Sequence, residues 1–536
     1  MKSISTAAVF GAVFFFAASA RATPVPTQKG DSNRSGATLR ETTLTPTTVT
    51  QAHFGKGYTL PVTGELYAQP LIAENVPVVV NNAQRLVNMV ILADYENNVY
   101  AYDATAHRPA VLYWSANFGP PVPAANVQCK GFPDIDLYVG IISTPVIDAA
   151  SNTMYLVNRT YLSADASYHQ FLRALDITTG RDRAGSPIEI AATVPGNGQD
   201  SVNGQIAFNP KTHNQRAGLL LQNGNVYIAW SGHNDCAPYH GWVMAYSYNA
   251  SAGAFAQTGA WADTPNGIQA GIWMWGGGLV GDGTNIYFTT GNGTVDAFNG
   301  GRDYGEAFIG INASLSSVTS WFTPKSFKTL NSFDADLGGG GVMLIPGTRL
   351  LVSGGKDGNL YVVNADNMGG YSQAHDANLQ AFAVTAKEVH SGPVYWSGSA
   401  GPIVYVWPDD ENLRAYRLSN GLLNTTPVWL SAVSVPKGND GGQMWISANG
   451  ANGGIVWAAM PESGNANNAT VPGILRAFDA VTGAEIYNSY QNLARDDYGS
   501  YAKNPSPVVW NGRVYVPTFN SATSSSGSLA VYGLFY

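Results

Sequence analysis

The sequence predicts an all-β protein, an eight-bladed β-propeller, on three observations. A short phrase recurs eight times, and each copy has an apolar strand followed by a small or polar residue and a turn. Successive copies lie roughly 50–75 residues apart, which is the spacing of propeller repeats with inserted loops. The chain contains 60 glycines and only 12% charged residues, as expected of a turn-rich β body. The copies begin at Val99, Leu172, Val243, Phe308, Leu360, Leu413, Leu475 and Leu529.

The repeats also predict how the ring closes. One blade cannot bury both of its faces alone, whereas blades packed around a central axis bury them and leave only short edges. The last copy ends at the C-terminus, so the eighth blade is short of a strand. We therefore expect an N-terminal strand near residues 64–72 to join the last blade and close the ring.

The first 22 residues have the pattern of a secretory signal peptide. Lys2 provides a basic start, residues 7–18 are apolar, and Ala20-Arg21-Ala22 fits a small-x-small cleavage site. The apolar run is too short for a membrane span, and no later stretch reaches the required length. We expect cleavage after Ala22 and an exported protein, either periplasmic or secreted from the cell.

The remaining chain divides into a leader and one domain. Residues 23–50 are rich in Pro, Thr and Ser and lack apolar periodicity, which predicts a flexible polar leader. Residues 51–536 show no break in composition, so we expect a single propeller there. The 28 basic and 36 acidic side chains form no basic cluster, which disfavours nucleic acid as a partner.

The chain has two cysteines, Cys129 and Cys236. In an oxidising compartment, an even pair within a stable domain favours a disulfide, here between loops of the second and third blades. Two buried free thiols are the alternative interpretation, because cysteine is commonly buried.

Long inserts between strands are expected to meet at one mouth of the channel, where propellers bind ligands. Candidate side chains in these inserts are His233, Asp235, His240, Asp303, His390, Trp396 and Trp407. A His–Asp–His set could ligate zinc, although structural hydrogen bonding is the favoured interpretation. Most of the tryptophans are expected to pack blade against blade. Trp273 and Trp275 differ, since alternation on a strand gives both rings one face, where they could stack on a planar ligand.

Two further motifs have both a structural and a functional interpretation. Asp334 and Asp336 could cap a turn by accepting backbone N–H bonds, or they could serve a site. Lys356 in GGKDG could be a solvated turn residue or a pocket cation. The chain lacks the G-x-S-x-G elbow, the P-loop, the haem-attachment motif and the dinucleotide-binding loop, so these common chemistries have no signature here.

The repeat ALDxxTG, the opening ETTLTPTTV with GELYAQPL, and the eight-fold count resemble the quinoprotein alcohol dehydrogenase-like propellers. More closely, the chain resembles a secreted subfamily with pyrroloquinoline-quinone-like repeats, whose role is mostly unassigned. The resemblance extends from about Leu44 to the C-terminus. Scaffold propellers of the same superfamily carry this repeat without a cofactor, so the repeat implies the fold more strongly than the activity.

Shorter matches carry the implied site. YFTTGNG resembles the segment with an asparagine calcium ligand, which is Asn292, and SFDADLG resembles the segment with the catalytic base, Asp334, which also contacts the metal. GGKDGNLYVVN resembles the strand entry whose basic residue contacts the quinone, here Lys356. Trp273 or Trp275 corresponds to the tryptophan beneath the cofactor. The resemblance thus implies pyrroloquinoline quinone and calcium as cofactors, and an alcohol or sugar as substrate.

The chain also departs from that pattern. The vicinal Cys-Cys pair that caps the quinone is missing, and the glutamate calcium ligand of the third blade has no counterpart except the nearby Asp235. Calcium affinity depends on the number of charged ligands, so this loss predicts an incomplete site.

Three functional hypotheses follow. The first is a binding propeller that takes a small polar molecule, a glycan or a protein at its mouth. The second is an extracytoplasmic quinone-dependent oxidoreductase acting on an alcohol or sugar. The third, a hydrolase or lyase, requires His233 and His240 to converge with acidic side chains within hydrogen-bond reach.

Overall fold

The computed structural model describes residues 23–105, 110–129, 135–519 and 526–535. The predicted signal peptide lies outside these residues. Within them, eight antiparallel sheets of four or five strands follow one another along the chain, and each sheet is one blade. The prediction of an all-β, eight-bladed propeller is therefore confirmed. No helix in the described ranges is long and apolar enough to span a bilayer.

The strands of each blade follow one another in the chain, except that blade 8 takes its last strand from the N-terminal region. Blade 1 consists of Leu71–Val80, Ala83–Ala93, Asn98–Asp103 and Leu112–Asn117, and blade 2 of Val146–Asp148, Thr153–Leu162, Ser167–Asp176, Arg181–Asp182 and Ile188–Glu189. Blade 3 consists of His213–Asn214, Leu220–Gln222, Asn225–Gly232, Trp242–Asn249 and Ala254–Ala262, and blade 4 of Val280–Gly281, Asn285–Thr289, Phe308–Asn312 and Val318–Phe322. Blade 5 consists of Met343–Leu344, Leu350–Gly354, Asn359–Asn364 and Gln380–Ala383, and blade 6 of Val394–Gly398, Gly401–Val406, Asn412–Ser419, Leu422–Leu423 and Trp429–Ser434. Blade 7 consists of Gln443–Asn449, Asn452–Pro461, Gly473–Asp479 and Glu485–Asn488, and blade 8 of Ser500–Tyr501, Val508–Trp510, Arg513–Phe519, Gly527–Leu534 and Phe54–Pro61.

A few short elements connect these blades. They are the hairpin strands Val122–Pro123 with Tyr138–Val139 and Thr193–Pro195 with Gln205–Ala207, the α-helices Phe327–Phe333 and Leu493–Asp496, and the 3-10 turns Ala124–Asn126, Ala297–Asn299 and Ser489–Asn492. The short strand Ala37–Thr38 instead adds to blade 7, where it pairs parallel with Ile446 and Ser447. The helix Phe327–Phe333 lies in the connection from blade 4 to blade 5, directly before Asp334.

The repeated phrase corresponds to one strand of each blade. All eight copies lie on the third of the four principal strands of the blade, counted outward from the channel. In blade 1, Val99 and Ala101 of this strand are fully buried, whereas the alternate residues Asn98 and Tyr100 are half-buried. This alternation is the period-two pattern of a strand that packs against its neighbours.

An N-terminal strand closes the ring, as predicted, but it is not the expected one. Phe54–Pro61 pairs antiparallel with Gly527–Leu534, from Phe54 opposite Leu534 to Pro61 opposite Ser528. The predicted position at residues 64–72 was wrong. Those residues run from blade 8 towards the channel, and the Gly64 N–H is held at 2.8 Å by the Asp94 carboxylate.

The segment expected to be a flexible leader is instead packed inside the propeller. Residues 25–38, named here the channel segment, hydrogen-bond to the inner edge of every blade in turn. From blade 1 to blade 8, its partners are Ile72, Ile147, Leu219, Gly281, Leu344, Tyr395, Ile446 and Val509. The prediction of flexibility was wrong because the polar side chains of this segment find buried partners rather than water.

Apolar clusters between neighbouring blades form the core. One cluster joins Ile91 of blade 1 to Met154 of blade 2. Another joins Ala229 of blade 3, Ile309 of blade 4 and Tyr361 of blade 5. Because each blade packs on both neighbours, the ring provides a rigid support for the loops at the channel mouth.

Candidate functional site

Loops at one end of the propeller converge on a pocket of about 200 Å³ at the channel mouth. The loops belong to blades 3 to 6. Some precede the first principal strand of a blade, which lies nearest the channel, and the others connect its second and third principal strands. The lining residues are Arg216, Asn234, Asp235, Trp273, Trp275, Asp334, Asp336, Gly339, Lys356 and His390. Two wider hollows of about 750 Å³ lie elsewhere, beside the loops of blades 1 and 2 and beside the closing strand.

The pocket brings together many side chains that the sequence analysis singled out. Those that line it are Asp235, Trp273, Trp275, Asp334, Lys356 and His390. Asn292 lies against the same wall, where its Nδ2 is 3.1 Å from Asp334 Oδ1 and 2.8 Å from Asp336 Oδ1. These residues are distant in sequence, and only the ring of blades places them at one point.

One wall of the pocket is an ion pair. Lys356 Nζ lies 2.6 Å from Asp336 Oδ2 and 3.8 Å from Asp334 Oδ2. Although burial opposes its charge, Asp336 and then Asp334 raise the pKa of Lys356 above the ordinary value. Behind this pair, burial and then the charge of Asp336 raise the pKa of Glu306 far above its usual range. Burial and the neighbouring charge of Asp336 therefore favour the neutral form of Glu306.

Asn292 contributes an oxygen with no protein partner. Its backbone N–H and its Nδ2 both donate to Asp336 Oδ1, and within the described residues its Oδ1 is buried without a hydrogen bond. The close approach depends on Gly291, because a Cβ there would lie 2.1 Å from Asp336 Oδ1 and 2.9 Å from the Trp273 ring. Two carboxylates and an amide oxygen are the ligands that a hard cation prefers.

Two tryptophans supply the aromatic part of the pocket. The Trp273 ring meets Tyr239 edge-on at 6.1 Å between centroids. The Trp275 ring carries the Arg216 guanidinium on its face, with the guanidinium carbon 3.0 Å from the ring centroid. Met274 between them is fully buried in the core. One tryptophan face is thus already stacked against a cation, while both rings line the pocket.

His390 links the pocket to a second, acidic hollow of about 300 Å³. Its Nδ1 is 2.5 Å from Asp409 Oδ2, and its Nε2 is 3.4 Å from Glu388 Oε2. Although burial opposes the charged form, Asp409 raises the pKa of His390 to about 9. Ligand atoms of Glu388, His390 and Asp409 lie within 4.8 Å of one another, so this trio has the spacing of a metal site. When His390 is protonated, both of its ring nitrogens carry hydrogens and face the two carboxylates, so neither nitrogen can ligate a metal.

Several predicted mouth residues lie outside the pocket. His233 is fully buried, with Nδ1 3.5 Å from an Arg159 nitrogen. His240 is also buried and is held by Asp200 at 2.9 Å and Thr264 at 3.0 Å. The two histidines therefore face different partners and do not converge as a zinc set or as a hydrolase or lyase centre would require.

The remaining candidates have structural surroundings as well. Asp303 accepts the Asn266 N–H at 2.9 Å in a loop of blade 4. Trp396 and Trp407 are fully buried, and their indole N–H groups donate to the Gly450 and Glu411 carbonyls. These two rings belong to the core of blades 6 and 7.

The predicted disulfide is confirmed. Cys129 and Cys236 are bonded, with 5.5 Å between their Cα atoms. Cys129 Sγ also lies 3.3 Å from the carbonyl oxygen of Asn234, a pocket residue. The bridge therefore braces the loop that carries Asn234 and Asp235. Disulfides persist in oxidising compartments, so this bond is consistent with an exported protein.

Part of the site could not be found from the sequence. Arg216 follows a short strand of blade 3, and no local motif marks it. Gly339 belongs to a glycine run that indicates a turn and no chemistry. The contact between Asp409 and His390 depends on two different loops of blade 6.

Comparison with known proteins supports the fold. No protein-family profile matches the sequence, and no curated protein matches it. Among solved structures, quinohemoprotein alcohol dehydrogenase ADHIIG from Pseudomonas putida HK5 is similar, with a TM-score of 0.59 and 12% identity over 96% of this chain and 80% of that chain. This chain has the quinoprotein alcohol dehydrogenase-like propeller fold. Two weaker likenesses are Saccharomyces cerevisiae Sqt1 (TM-score 0.46, 10% identity, 90% and 98% coverage) and Moraxella catarrhalis BamB (0.45, 11%, 86% and 97%).

The pocket can be tested against the cofactors that this fold implies. Asn292, Asp334 and Asp336 do not present a ready site for a hard cation such as calcium, because Asn292 Nδ2 donates to both carboxylates and Lys356 Nζ contacts both of them. The pocket leaves little room for the tricyclic quinone, because its volume of about 200 Å³ is below the roughly 300–1,000 Å³ of pockets for drug-sized ligands and Arg216 covers the face of Trp275.

Proposed function

We propose that this protein is an exported binding propeller that takes a small polar organic ligand in the mouth pocket. The observation that carries the proposal is the convergence of two tryptophans, three carboxylates and three cations from four blades on one pocket of about 200 Å³. Small-molecule sites combine aromatic surface with a few placed polar groups in this way.

The chemistry of the walls favours one class of ligand. The Trp273 ring offers apolar surface, while Asp334 accepts hydrogen bonds and Lys356 donates them. A compact ligand with hydroxyl groups on an apolar ring, such as a single sugar unit or a cyclic polyol, matches both requirements.

The predicted signal peptide and the disulfide support export, to the periplasm or out of the cell. Cleavage after Ala22 would leave a chain that starts at Thr23, just before the channel segment. N-terminal sequencing of the protein recovered from culture medium and from periplasmic extract would establish both the cleavage site and the compartment.

A thermal-shift screen tests the binding proposal. The full-length mature protein would be heated with single sugars, polyols and hydroxy acids, with and without calcium. A ligand at about one hundred times its Kd stabilises the folded state by about 2.7 kcal/mol, so a true ligand raises Tm. Lys356→Ala should abolish that rise, while the exposed Lys437→Ala should keep it. A rise of equal size in both variants would contradict the proposal.

A quinone-dependent oxidoreductase is the second candidate, because Asn292, Asp334, Lys356 and Trp273 lie together as the resemblance implies. Spectrophotometric titration with pyrroloquinoline quinone in calcium buffer separates the two candidates. The binding propeller predicts no stoichiometric chromophore. A one-to-one complex that Asp334→Ala abolishes would favour the oxidoreductase instead.

A further inference from the structure

The channel segment, residues 25–38, is unusual because one short stretch contacts every blade of the ring. Its Val25 exchanges two backbone bonds with Ile72 of blade 1, and its Thr38 hydroxyl donates to Val509 of blade 8 at 2.7 Å. Between these ends, backbone oxygens of Ser32, Asn33 and other residues accept N–H bonds from the inner strands of the intervening blades. The segment therefore follows the inner circumference of the ring.

Its two basic side chains, Lys29 and Arg34, are buried, and they donate hydrogen bonds to carbonyl and hydroxyl oxygens. Arg34 is 2% exposed, and its guanidinium donates to the carbonyls of Leu279, Leu219 and Gln28 and to the Thr27 hydroxyl at 2.7–3.0 Å. A guanidinium that finds four oxygens in the interior acts as a fixed cross-link between blades 3 and 4 and the segment itself.

The same segment contacts residues that adjoin the lining of the mouth pocket. Gln28 Nε2 donates to the Gly276 carbonyl at 2.5 Å, and Gly276 follows the pocket residue Trp275. Lys29 Nζ donates to the Met444 carbonyl at 3.0 Å and to the Ser506 hydroxyl at 2.7 Å. Its side chain also passes under Gly392, two residues beyond His390, where a Cβ would lie 3.7 Å from Lys29 Cε.

We propose that the channel segment is a built-in plug, which joins the eight blades at the axis and holds in place the loops that line the mouth pocket. Gln28 is then a positioning residue for the loop that carries Trp273 and Trp275, which lies between the last strand of blade 3 and the first strand of blade 4 and is not itself a strand. This loop bonds to the loop before blade 5 through the Met274 and Trp275 N–H groups, which donate to the Gly338 and Gly339 carbonyls. The joining role is independent of the proposed function, whereas the pocket role rests on it.

Cleavage of the folded full-length protein tests the joining role. A protease site would be inserted between Gln51 and Ala52, both exposed, and cut after purification. The N-terminal peptide should remain bound through gel filtration and leave only on denaturation. Release accompanied by a lower Tm would also support the proposal, whereas release with an unchanged Tm would overturn it. The same site between Ser251 and Ala252, in an exposed turn of blade 3, controls for the cut itself.

Hydrogen–deuterium exchange of Gln28→Leu tests the pocket role without any ligand. Loss of the bond to Gly276 should accelerate exchange of the Met274 and Trp275 amides at least fivefold and leave the peptides of blade 1 unchanged. Gln491→Leu, an exposed glutamine, is the matched control. Unchanged or uniformly faster exchange in Gln28→Leu would overturn the pocket role. Because the readout needs no ligand, it is separate from any failure of the binding screen.

Discussion

Lys356 and Asp336 form a direct ion pair in the wall of the mouth pocket, with 2.6 Å between Nζ and Oδ2. The aspartate is 7% exposed and the lysine 19% exposed as side chains, so the pair is largely withdrawn from water. The resemblance to quinoproteins implies that Lys356 contacts a quinone and that Asp334, the second carboxylate beside it, contacts a metal. Here the ammonium group already neutralises one of the two carboxylates, which leaves a polar pocket for a small ligand.

Removal of the Asp336 charge should destabilise the protein. Asp336→Asn leaves the Lys356 ammonium in a partly buried site, where loss of one partner of a buried pair costs about 3–5 kcal/mol. Because Asp334 remains 3.8 Å away, we expect a loss at or below about 3 kcal/mol, measured by urea denaturation. As a control, Asp366→Asn removes a carboxylate from an exposed ion pair and should lower the free energy of unfolding by less than about 1 kcal/mol. Equal losses in the two variants would show that Asp336 makes no special contribution.

Lys29 should make stability depend on pH in the alkaline range. Burial lowers the pKa of Lys29 to about 7, whereas an unfolded lysine titrates near 10.4. Between these values the unfolded chain holds a proton that the folded chain lacks, so stability rises with pH and falls as pH drops towards 7.

Lys29→Met removes this contribution. From pH 7 to pH 10, the free energy of unfolding should rise more steeply with pH for the wild type than for Lys29→Met, by up to about 1.4 kcal/mol per pH unit. Urea denaturation at each pH gives the comparison, with the exposed Lys437→Met expected to run parallel to the wild type. Parallel curves for Lys29→Met would mean that Lys29 is charged in the folded protein.

The disulfide should stabilise both the fold and the pocket. Cys129 and Cys236 are 107 positions apart, and a bridge over such a loop contributes roughly 2–5 kcal/mol. The double variant Cys129→Ser with Cys236→Ser should unfold at lower urea, and it should bind any ligand found in the screen more weakly because the Asp235 loop is released. An unchanged midpoint together with unchanged affinity would contradict this account.

Gly291 should tolerate no side chain. In Gly291→Ala the new Cβ would displace either the Asp336 carboxylate or the Trp273 ring, and overpacking of this kind typically costs about 1–3 kcal/mol. Gly57→Ala is the control, since its Cβ would meet only the Val531 carbonyl at 3.5 Å. Thermal melts that are alike for the two variants would indicate that the loop around Gly291 adjusts freely.

Much of the fold could be predicted because each blade repeats the same local pattern. Eight copies of one strand phrase determine eight blades, and the missing strand of the last blade implies closure by the N-terminal region. The channel segment could not be predicted in this way. Its polar composition is that of a solvated leader, and the partners that bury Thr38 and Lys29 lie 471 and 415 residues away in the chain.

The site was predictable where residue type and neighbouring glycines mark a loop, as for Asp334 and Lys356. It was not predictable where a side chain's direction decides its role. His233 and Trp407 have the residue types of a binding site, yet both point into the core. Arg216 carries no motif, and its position on Trp275 depends on packing between blades 3 and 4.

Isothermal titration calorimetry with the strongest compound from the thermal-shift screen tests the central claim most directly. The compound would be titrated into the wild type and into Trp273→Ala. The mouth-pocket account predicts one-to-one binding to the wild type and at least tenfold weaker binding to the variant, a difference of about 1.4 kcal/mol or more. Equal affinity for the two proteins, or no compound that binds the wild type at one-to-one stoichiometry, would contradict it.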